Sequence, residues 1–200
     1  QMCIRDRDGK STAGKTTSQV NRMGIARTFQ NIRLFSNMSV LDNVKVGLHN
    51  SIKEGFFSSV THGFGYKKAE KTANERAIEL LDFFSMADVA NEEAGSLPYG
   101  AQRRLEIVRA LATNPSIILL DEPAAGMNPS ETAELMENIR RIRDTFNIAI
   151  MLIEHDMNLV MGICEGIAVL NFGQIIAKGT PDEIKQNEYV QQAYLGGDMS

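Results

Sequence analysis

Residues 117–123 read IILLDEP, and this stretch constrains the fold of the chain more than any other. Four consecutive apolar residues predict a short strand that is buried in a parallel sheet. Ligands of such sheets bind just beyond the carboxyl ends of the strands, which is where Asp121 and Glu122 follow. One carboxylate can hold a metal ion, while the other orients or deprotonates an attacking water. The pair therefore predicts a site for a phosphate and its Mg²⁺.

A second apolar run, residues 148–153, is followed by Glu154, His155 and Asp156. Parallel strands end at the same edge of a sheet, so His155 is expected to lie on the rim that carries the acidic pair. A single histidine at a strand end is usually structural, and two acids after a strand are often only an exposed turn. Together, the two features favour a phosphate site and predict a nucleotide hydrolase.

The composition excludes several classes of protein. Two hundred residues suffice for one α/β domain, and the net charge of -4 with mixed signs argues against a nucleic-acid binder. The two cysteines, Cys3 and Cys164, match no metal or redox spacing, which is consistent with a reducing compartment. The sequence contains no apolar run of the ~18–20 residues needed to cross a bilayer, so membrane association is predicted only through a partner.

Strands that alternate with helices predict an α/β fold with a largely parallel sheet. A strand is expected at residues 25–30, and residues 39–96 are expected to be mostly helical with a loop at residues 55–65. Helix starts are predicted at Asn128 and Thr180, because each offers a capping side chain that is followed by proline.

Further apolar and turn patterns complete this prediction. A helix is expected to open at residues 100–104, and residues 171–173 are expected to be a hairpin turn. Residues 1–7 are interpreted as an extraneous or truncated start, and residues 8–200 as one domain. Within that domain, residues 39–105 are expected to form a helical subdomain.

Four motifs resemble those of ATP-binding cassette (ABC) ATPases. Residues 97–104, LPYGAQRR, resemble the signature motif, and residues 117–122 resemble the Walker B strand. Gln30 is similar to the Q-loop glutamine and His155 to the switch histidine. Each motif is unspecific alone, whereas all four in family order are highly specific. The resemblance implies a P-loop NTPase-like fold with an inserted helical subdomain.

Additional segments resemble the ATPases of branched-chain amino acid importers. They are residues 24–35, 124–129, 153–157 and 193–196, and the resemblance extends over about residues 8–198. It implies an ATPase that energises such an importer. Alternatives are the ATPase of another importer or of a lipid exporter, a soluble ABC protein of translation or DNA repair, and a non-catalytic interaction module. The soluble class usually has tandem cassettes, long coiled-coil insertions or basic linkers, and this sequence has none.

The resemblance also implies partners and a location. Two ATPase subunits, identical or different, would pack head to tail with ATP between them. Transmembrane permease subunits would hold the pair at the cytoplasmic face of the cell membrane, and a substrate-binding protein would be an indirect partner. No nucleic acid is expected. Residues 31–44 would help to form the groove that grips a membrane subunit, although core packing explains their apolar residues equally well.

Site residues follow from the same resemblance, with ATP and Mg²⁺ as cofactors. Glu122 would polarise the attacking water, and His155 would contact the γ-phosphate. Asp121 and Gln30 would hold or sense the metal. The residues expected to contact the partner's ATP, or to lie beside it, are Pro98, Tyr99, Gly100, Ala101, Gln102 and Asn128. Pro98 replaces the usual serine and Asn128 the usual aspartate, so weakened binding is expected at Pro98.

Residues 9–16, GKSTAGKT, satisfy the P-loop pattern, but their context argues against that function. A P-loop requires a buried strand before it and a helix after it. The preceding residues 5–8 are charged, and Gly24 ends a short helical stretch. Lys15 also lies only fifteen positions before Gln30. We therefore predict that the Walker A motif lies upstream of these residues, and that this chain alone binds Mg-ATP weakly and hydrolyses it negligibly.

Overall fold

The computed structural model describes residues 6–7, 9–49 and 64–194. The strands, in chain order, are β1 (Asp6–Arg7), β2 (Lys10–Ser11), β3 (Ile25–Arg27), β4 (Ile117–Asp121), β5 (Ala149–Ile153), β6 (Ile167–Asn171) and β7 (Gln174–Gly179). The α-helices are α1 (Thr17–Arg22), α2 (Val40–Leu48), α3 (Phe64–Phe83), α4 (Tyr99–Ala112), α5 (Pro129–Phe146), α6 (Met157–Ile163), α7 (Pro181–Gln186) and α8 (Glu188–Tyr194). Two 3₁₀ turns, Ala87–Val89 and Ala94–Ser96, precede α4.

The central sheet is parallel, with β4 between β3 and β5. Ile117 pairs with Ile25 on one side and with Ala149 on the other, so all three strands begin level. The predicted α/β class and the strands expected from the apolar runs are thus confirmed. The register brings the carboxyl ends of β4 and β5 to one edge, where Asp121 pairs with Ile153.

Two antiparallel hairpins accompany this sheet, β1 with β2 and β6 with β7. The hairpin turn expected at residues 171–173 is confirmed. Its central residues, Phe172 and Gly173, have φ of 45° and 77°, as a two-residue turn between twisted strands requires.

One edge of β5 has no strand partner in the described part of the chain. An open groove of about 1280 Å³ lies there, lined by β5, β6 and α6. Met151 and Ile153 of β5 and Leu170 of β6 line it and are each more than half exposed. Strands of parallel sheets are normally covered on both faces, whereas these apolar side chains of β5 and β6 are exposed in the groove.

The main hydrophobic core joins α2, α3 and α4 to the sheet and to α5. Its most deeply buried large side chains are Leu81, Met86, Leu105, Ile118, Leu120, Leu135, Ile142 and Leu159. The helix expected to open at residues 100–104 is α4, and its inner face joins this core, since Leu105, Val108, Leu111 and Ala112 are all buried. A smaller cluster of Val169, Ile184 and Val190 attaches α7 and α8 to the second hairpin.

Two predicted boundaries were wrong. The strand expected at residues 25–30 ends at Arg27, because the chain leaves the sheet after the N–H of Thr28 donates to the carbonyl of Leu119. The loop expected at residues 55–65 gives way to α3 at Phe64, since a glycine costs a helix only about 1 kcal/mol. Residues 55–63 lie outside the described residues. No helix in the described ranges has both the length and the apolar character needed to cross a bilayer.

Helix α5 begins at the predicted cap. The Asn128 side chain accepts from the N–H groups of Ser130 and Glu131 at 2.9 and 3.0 Å. The Glu131 carboxylate in turn accepts from the N–H of Asn128 at 2.9 Å, which completes a capping box. The position of α5 behind β4 therefore depends on a local pattern that was readable from the sequence.

Replacing Asn128 by alanine is expected to lower the free energy of unfolding by about 1 kcal/mol, because two N–H groups of the first turn lose their acceptor. Urea denaturation of the two proteins measures the difference. Ser130→Ala is the matched control, since Ser130 is exposed in the same turn. An equal loss in both variants would contradict the capping role of Asn128.

Candidate functional site

The carboxyl ends of β3, β4 and β5 bring three of the predicted residues together. Glu122 follows β4 directly, and its Oε2 accepts from Nε2 of Gln30 at 2.7 Å. Nδ1 of His155, two residues beyond β5, lies 3.9 Å from Oε1 of Glu122. The His155 side chain is 75% exposed and that of Glu122 is 29% exposed, so both are accessible to a ligand. The three side chains form a polar cluster on one rim of the sheet.

Glu122 occupies an unusual backbone conformation, with φ of 44°. This left-handed region costs an L-residue about 1–2 kcal/mol. The conformation is held by two backbone hydrogen bonds, from the N–H of Glu122 to Ile153 at 2.9 Å and from the N–H of Ala125 to Glu122 at 3.2 Å. Strain of this kind is typical of functional sites. Here the left-handed conformation turns the chain sharply at Glu122, where the carboxylate of this residue meets Gln30 and His155.

Asp121 lies beside this cluster and has its own cationic partner. Its Oδ2 accepts from Nη2 of Arg27 at 2.8 Å, and its N–H donates to Oγ1 of Thr28 at 3.4 Å. Arg27 had not been predicted from the sequence. Its position at the end of a strand that neighbours the acidic one was the available signal.

The donor set at this rim fits Mg²⁺. Two adjacent carboxylates and the amide oxygen of Gln30 are the hard oxygen ligands that this ion prefers. The described residues contain no cluster of three acidic, histidine or cysteine side chains suited to enclosing a metal. Mg²⁺ is usually bound through one or two carboxylates, with water and substrate phosphate completing its shell. The arrangement therefore suits a metal that arrives with a nucleotide.

Glu154 positions the loops on both sides of the cluster and was missed as a site residue. Its side chain is only 1% exposed. Oε1 accepts from the N–H of Ala124 at 2.9 Å, and Oε2 accepts from the N–H of His155 at 3.1 Å. A buried carboxylate thus ties the turn after Glu122 to the turn that carries His155. An acid directly after an apolar strand was the signal that could have indicated it.

The residues that resemble the signature motif lie at the start of α4. Pro98 occupies the N-cap position and offers no side-chain cap, and Tyr99 is 45% exposed. Gly100 is buried against Glu131, whose Oε1 would lie 2.8 Å from a Cβ at that position. Ala101 and Gln102 are half-buried, and Nε2 of Gln102 donates back to the carbonyl of Leu97 at 2.8 Å.

The side chains of Gln102 and Tyr99 bond to Leu97 and Arg103, and none of the described contacts joins this group to Glu122, Gln30 or His155. A motif that serves a partner subunit is expected to lie apart from its own chain's cluster in this way. Pro98 and Tyr99 are the exposed members of the group, whereas Gly100 is covered within this chain. Asn128, also exposed, is engaged as the cap of α5. The proposed contacts of these residues with a partner's ATP remain predictions.

Residues 9–16 adopt the geometry of a hairpin and a capped helix. Lys10 and Ser11 pair with β1, and Thr16 caps α1 in a capping box with Gln19. The N–H of Ala13 donates to Oγ of Ser11 at 3.1 Å. The N–H of Lys15 donates to the carbonyl of Thr12 at 3.2 Å. These N–H groups point to oxygens of their own segment, and α1 has only six residues. This supports the interpretation that the P-loop pattern is coincidental.

Replacing Lys15 by alanine is expected to leave the affinity for Mg-ATP unchanged within twofold, because Lys15 is exposed on a segment with no phosphate cradle. Isothermal titration calorimetry measures the affinity. Lys10→Ala, a second exposed lysine of the same segment, controls for the general loss of positive charge. A loss of affinity of tenfold or more in Lys15→Ala alone would show that residues 9–16 do bind phosphate.

Comparisons with known proteins agree with this geometry. The ABC transporter family matches residues 4–125. The family described as branched-chain amino acid ATP-binding cassette transporter matches residues 174–199. The chain therefore belongs to the ABC transporter family. The predicted class, a transport-type ATPase with an α/β nucleotide-binding fold, is confirmed, and ATP is the nucleotide that this fold binds.

Particular relatives refine this assignment. The high-affinity branched-chain amino acid transport ATP-binding protein LivG of Escherichia coli (strain K12) is 46% identical over 195 residues, covering 98% of this chain and 75% of LivG. BraF of Pseudomonas aeruginosa, with the same description, is 42% identical over 189 residues, covering 94% of this chain and 74% of BraF. LptB of Escherichia coli (strain K12), a lipopolysaccharide export ATP-binding protein, is 33% identical over 178 residues, covering 89% of this chain and 68% of LptB.

Solved structures show the same fold. An ATP-binding cassette of an ABC transporter in its ADP conformation has a TM-score of 0.75 and 29% identity, covering 94% of this chain and 74% of that chain. A nucleotide-free ATP-binding cassette has a TM-score of 0.74 and 28% identity, with 93% and 74% covered.

Proposed function

We propose that this chain is the ATP-hydrolysing subunit that energises import of branched-chain amino acids. The similarity to LivG and BraF supports this, and so does the match of residues 174–199 to the branched-chain amino acid family. A lipid-export ATPase is the second candidate, favoured only by the lower identity to LptB. The convergence of Glu122, Gln30 and His155 is the observation that carries the hydrolytic part of the proposal.

The proposed reaction is attack of water on the γ-phosphate of ATP. Glu122 accepts a hydrogen bond from the attacking water and takes its proton as the new P–O bond forms. The bond from the γ-phosphorus to the bridging oxygen breaks, and ADP leaves with that oxygen, so the products are ADP and inorganic phosphate. Gln30 donates to one oxygen of that carboxylate and leaves the other for the water. Nδ1 of His155 lies 3.9 Å from the other oxygen, Oε1, and His155 would contact the γ-phosphate. Bound Mg²⁺ would neutralise phosphate charge, held by Asp121 and the amide oxygen of Gln30.

Binding of the β- and γ-phosphates needs more than these side chains. The described residues contain no glycine-rich loop in P-loop geometry, because residues 9–16 form the hairpin and capped helix described above. Residues 9–16 therefore do not supply the cradle for these phosphates.

The proposed assembly contains a second ATPase subunit and a pair of permease subunits. The start of α4, with Pro98 and Tyr99 exposed, would face the ATP of the second subunit, where a helix N-terminus favours negative charge. The permease subunits would place the pair at the cytoplasmic face of the membrane, beneath a substrate-binding protein.

Co-purification tests the transport assignment. The tagged chain is expressed with the permease pair of a branched-chain amino acid importer or with that of a lipopolysaccharide exporter. Retention with the importer pair alone is expected. Retention with the exporter pair alone would favour the second candidate, and retention with neither would contradict both transport assignments.

A further inference from the structure

We propose that Arg103 is a positioning residue for ATP hydrolysis. It fixes the position of the Gln30 loop (residues 28–34, after β3) relative to the first turn of α4. Its catalytic consequence rests on the proposed function, whereas the positioning itself rests on geometry alone. Arg103 lies in the second turn of α4, and its side chain is only 3% exposed. No role was predicted for it from the sequence.

Arg103 binds the loop after β3. Nη1 of Arg103 donates to the carbonyl of Phe29 at 2.7 Å, and Nη2 donates to the carbonyl of Gln30. Two consecutive carbonyls are thus bound by one planar group, which fixes both the position and the direction of this backbone. The Gln30 side chain leaves from the same point and donates to Glu122 at 2.7 Å. Arg103 therefore determines where the amide meets the carboxylate.

Arg103 also contacts the start of α4. Nε of Arg103 donates to Oη of Tyr99 at 3.2 Å, and its guanidinium carbon lies 5.5 Å from the centroid of that ring. The ring in turn packs on Gly126, where a Cβ would lie 3.2 Å from Cε1 of Tyr99. Gly126 belongs to the turn that follows Glu122. Arg103 thus contacts the Gln30 loop directly and the turn after Glu122 through Tyr99.

Glu106 completes the arrangement. It lies one turn along α4, its side chain is 3% exposed, and its Oε2 is 3.3 Å from Nη1 of Arg103. Oε1 accepts from the N–H of Arg33 at 3.4 Å, so the carboxylate also reaches the Gln30 loop. Burial raises the pKa of the Glu106 carboxyl, while the charge of Arg103 opposes that rise.

Stability alone does not explain this pair. A buried ion pair contributes little net stability, because removing both charges from water offsets most of their attraction. What an arginine adds is a rigid fork, which here reaches four acceptors in two segments, the loop after β3 and α4. A lysine would retain the charge but could not span the two carbonyls and the tyrosine together. The chemistry of the side chain therefore points to positioning.

Arg103→Lys tests the proposal, with Arg141→Lys as the matched control. Arg141 donates to the carbonyl of Phe83 at 3.2 Å, and its guanidinium carbon lies 4.4 Å from the centroid of that ring. The control therefore removes an exposed guanidinium that also binds a carbonyl and an aromatic ring but contacts none of Glu122, Gln30 and His155 among the described contacts. Amide hydrogen exchange compares residues 28–34 with residues 107–112 of α4. In Arg103→Lys, exchange of residues 28–34 is expected to accelerate at least tenfold while that of residues 107–112 stays within twofold. The control is expected to change neither.

ATP turnover by the permease-bound protein provides the second measurement. Arg103→Lys is expected to lower kcat at least tenfold with KM within threefold, because the substrate still binds but Gln30 no longer holds Glu122.

Unchanged exchange of residues 28–34 would overturn the proposal, as would faster exchange spread evenly over α4. Local loosening with an unchanged kcat would overturn its catalytic part. Absence of turnover in every protein, including the unmodified one, would instead count against the proposed function, and exchange would still decide the positioning.

A double variant guards against simple misfolding. Arg103→Met with Glu106→Leu replaces the ion pair by apolar side chains of similar size, a change that buried pairs often tolerate. This protein is expected to unfold at a urea concentration close to that of the unmodified chain and yet to show fast exchange at residues 28–34. Normal protection of that loop in the double variant would overturn the proposal.

Discussion

Replacing Glu122 by glutamine is expected to lower the rate of ATP hydrolysis by the permease-bound protein by about 10²- to 10⁴-fold, the usual contribution of a positioned general base. Glutamine has nearly the same shape, and its carbonyl oxygen can still accept from Gln30. The introduced glutamine side chain, however, cannot take a proton from water at neutral pH. The variant therefore isolates proton acceptance from positioning, and ATP binding is expected to change little.

Single-turnover measurements with protein in excess over ATP are suited to this comparison, because they record the chemical step even when turnover is slow. Glu137→Gln is the control, since Glu137 is 62% exposed on α5 and pairs only with Arg140 at 3.6 Å among the described contacts. A hydrolysis rate in Glu122→Gln within threefold of the unmodified protein would contradict the role of Glu122 as base. The base would then have to be sought elsewhere on the same rim.

The second large effect is expected at Ile118, the second residue of β4, which is fully buried. Ile118→Ala is expected to lower the free energy of unfolding by about 2–5 kcal/mol, because the apolar contacts are lost and a cavity remains. β4 pairs with both β3 and β5, so the strand has no free edge toward which it could shift to fill that cavity.

Urea denaturation measures the loss, and Met151→Ala on the neighbouring strand is the control. Met151 is 56% exposed, and truncation of an exposed side chain usually changes stability by less than about 0.5 kcal/mol. If both variants lost the same amount, β4 would not be the centre of the core. If neither lost more than about 1 kcal/mol, the packing around Ile118 would be looser than described.

The parts of the fold that were predictable from the sequence depend on local patterns. The strand before Asp121 was visible as an apolar run, and the start of α5 was visible as Asn128 followed by proline. The meeting of Glu122 with His155 could also be predicted, because parallel strands end at a common edge. In each case the information lies within a few residues of the element that it describes.

The parts that were not predictable depend on contacts between distant residues. Arg27 reaches Asp121 across 94 positions, and Arg103 reaches the carbonyl of Phe29 across 74. Glu154 binds the N–H of Ala124 across 30 positions. Arginine and glutamate are common on exposed helix faces and in turns, so a position at a strand end can suggest that Arg27 or Glu154 lies near the site but does not identify its partner. Such partners become visible only when the packing is known.

Glu122 shows how the demands of folding and of chemistry differ at a single position. Its backbone, with φ of 44°, has the conformation that glycine adopts without strain. A glycine there would relieve the strain but remove the carboxylate on which the proposed hydrolysis depends. The residue best suited to the turn is thus not the one suited to the reaction. A search for more stable variants of this protein would therefore be drawn toward inactive ones at this residue.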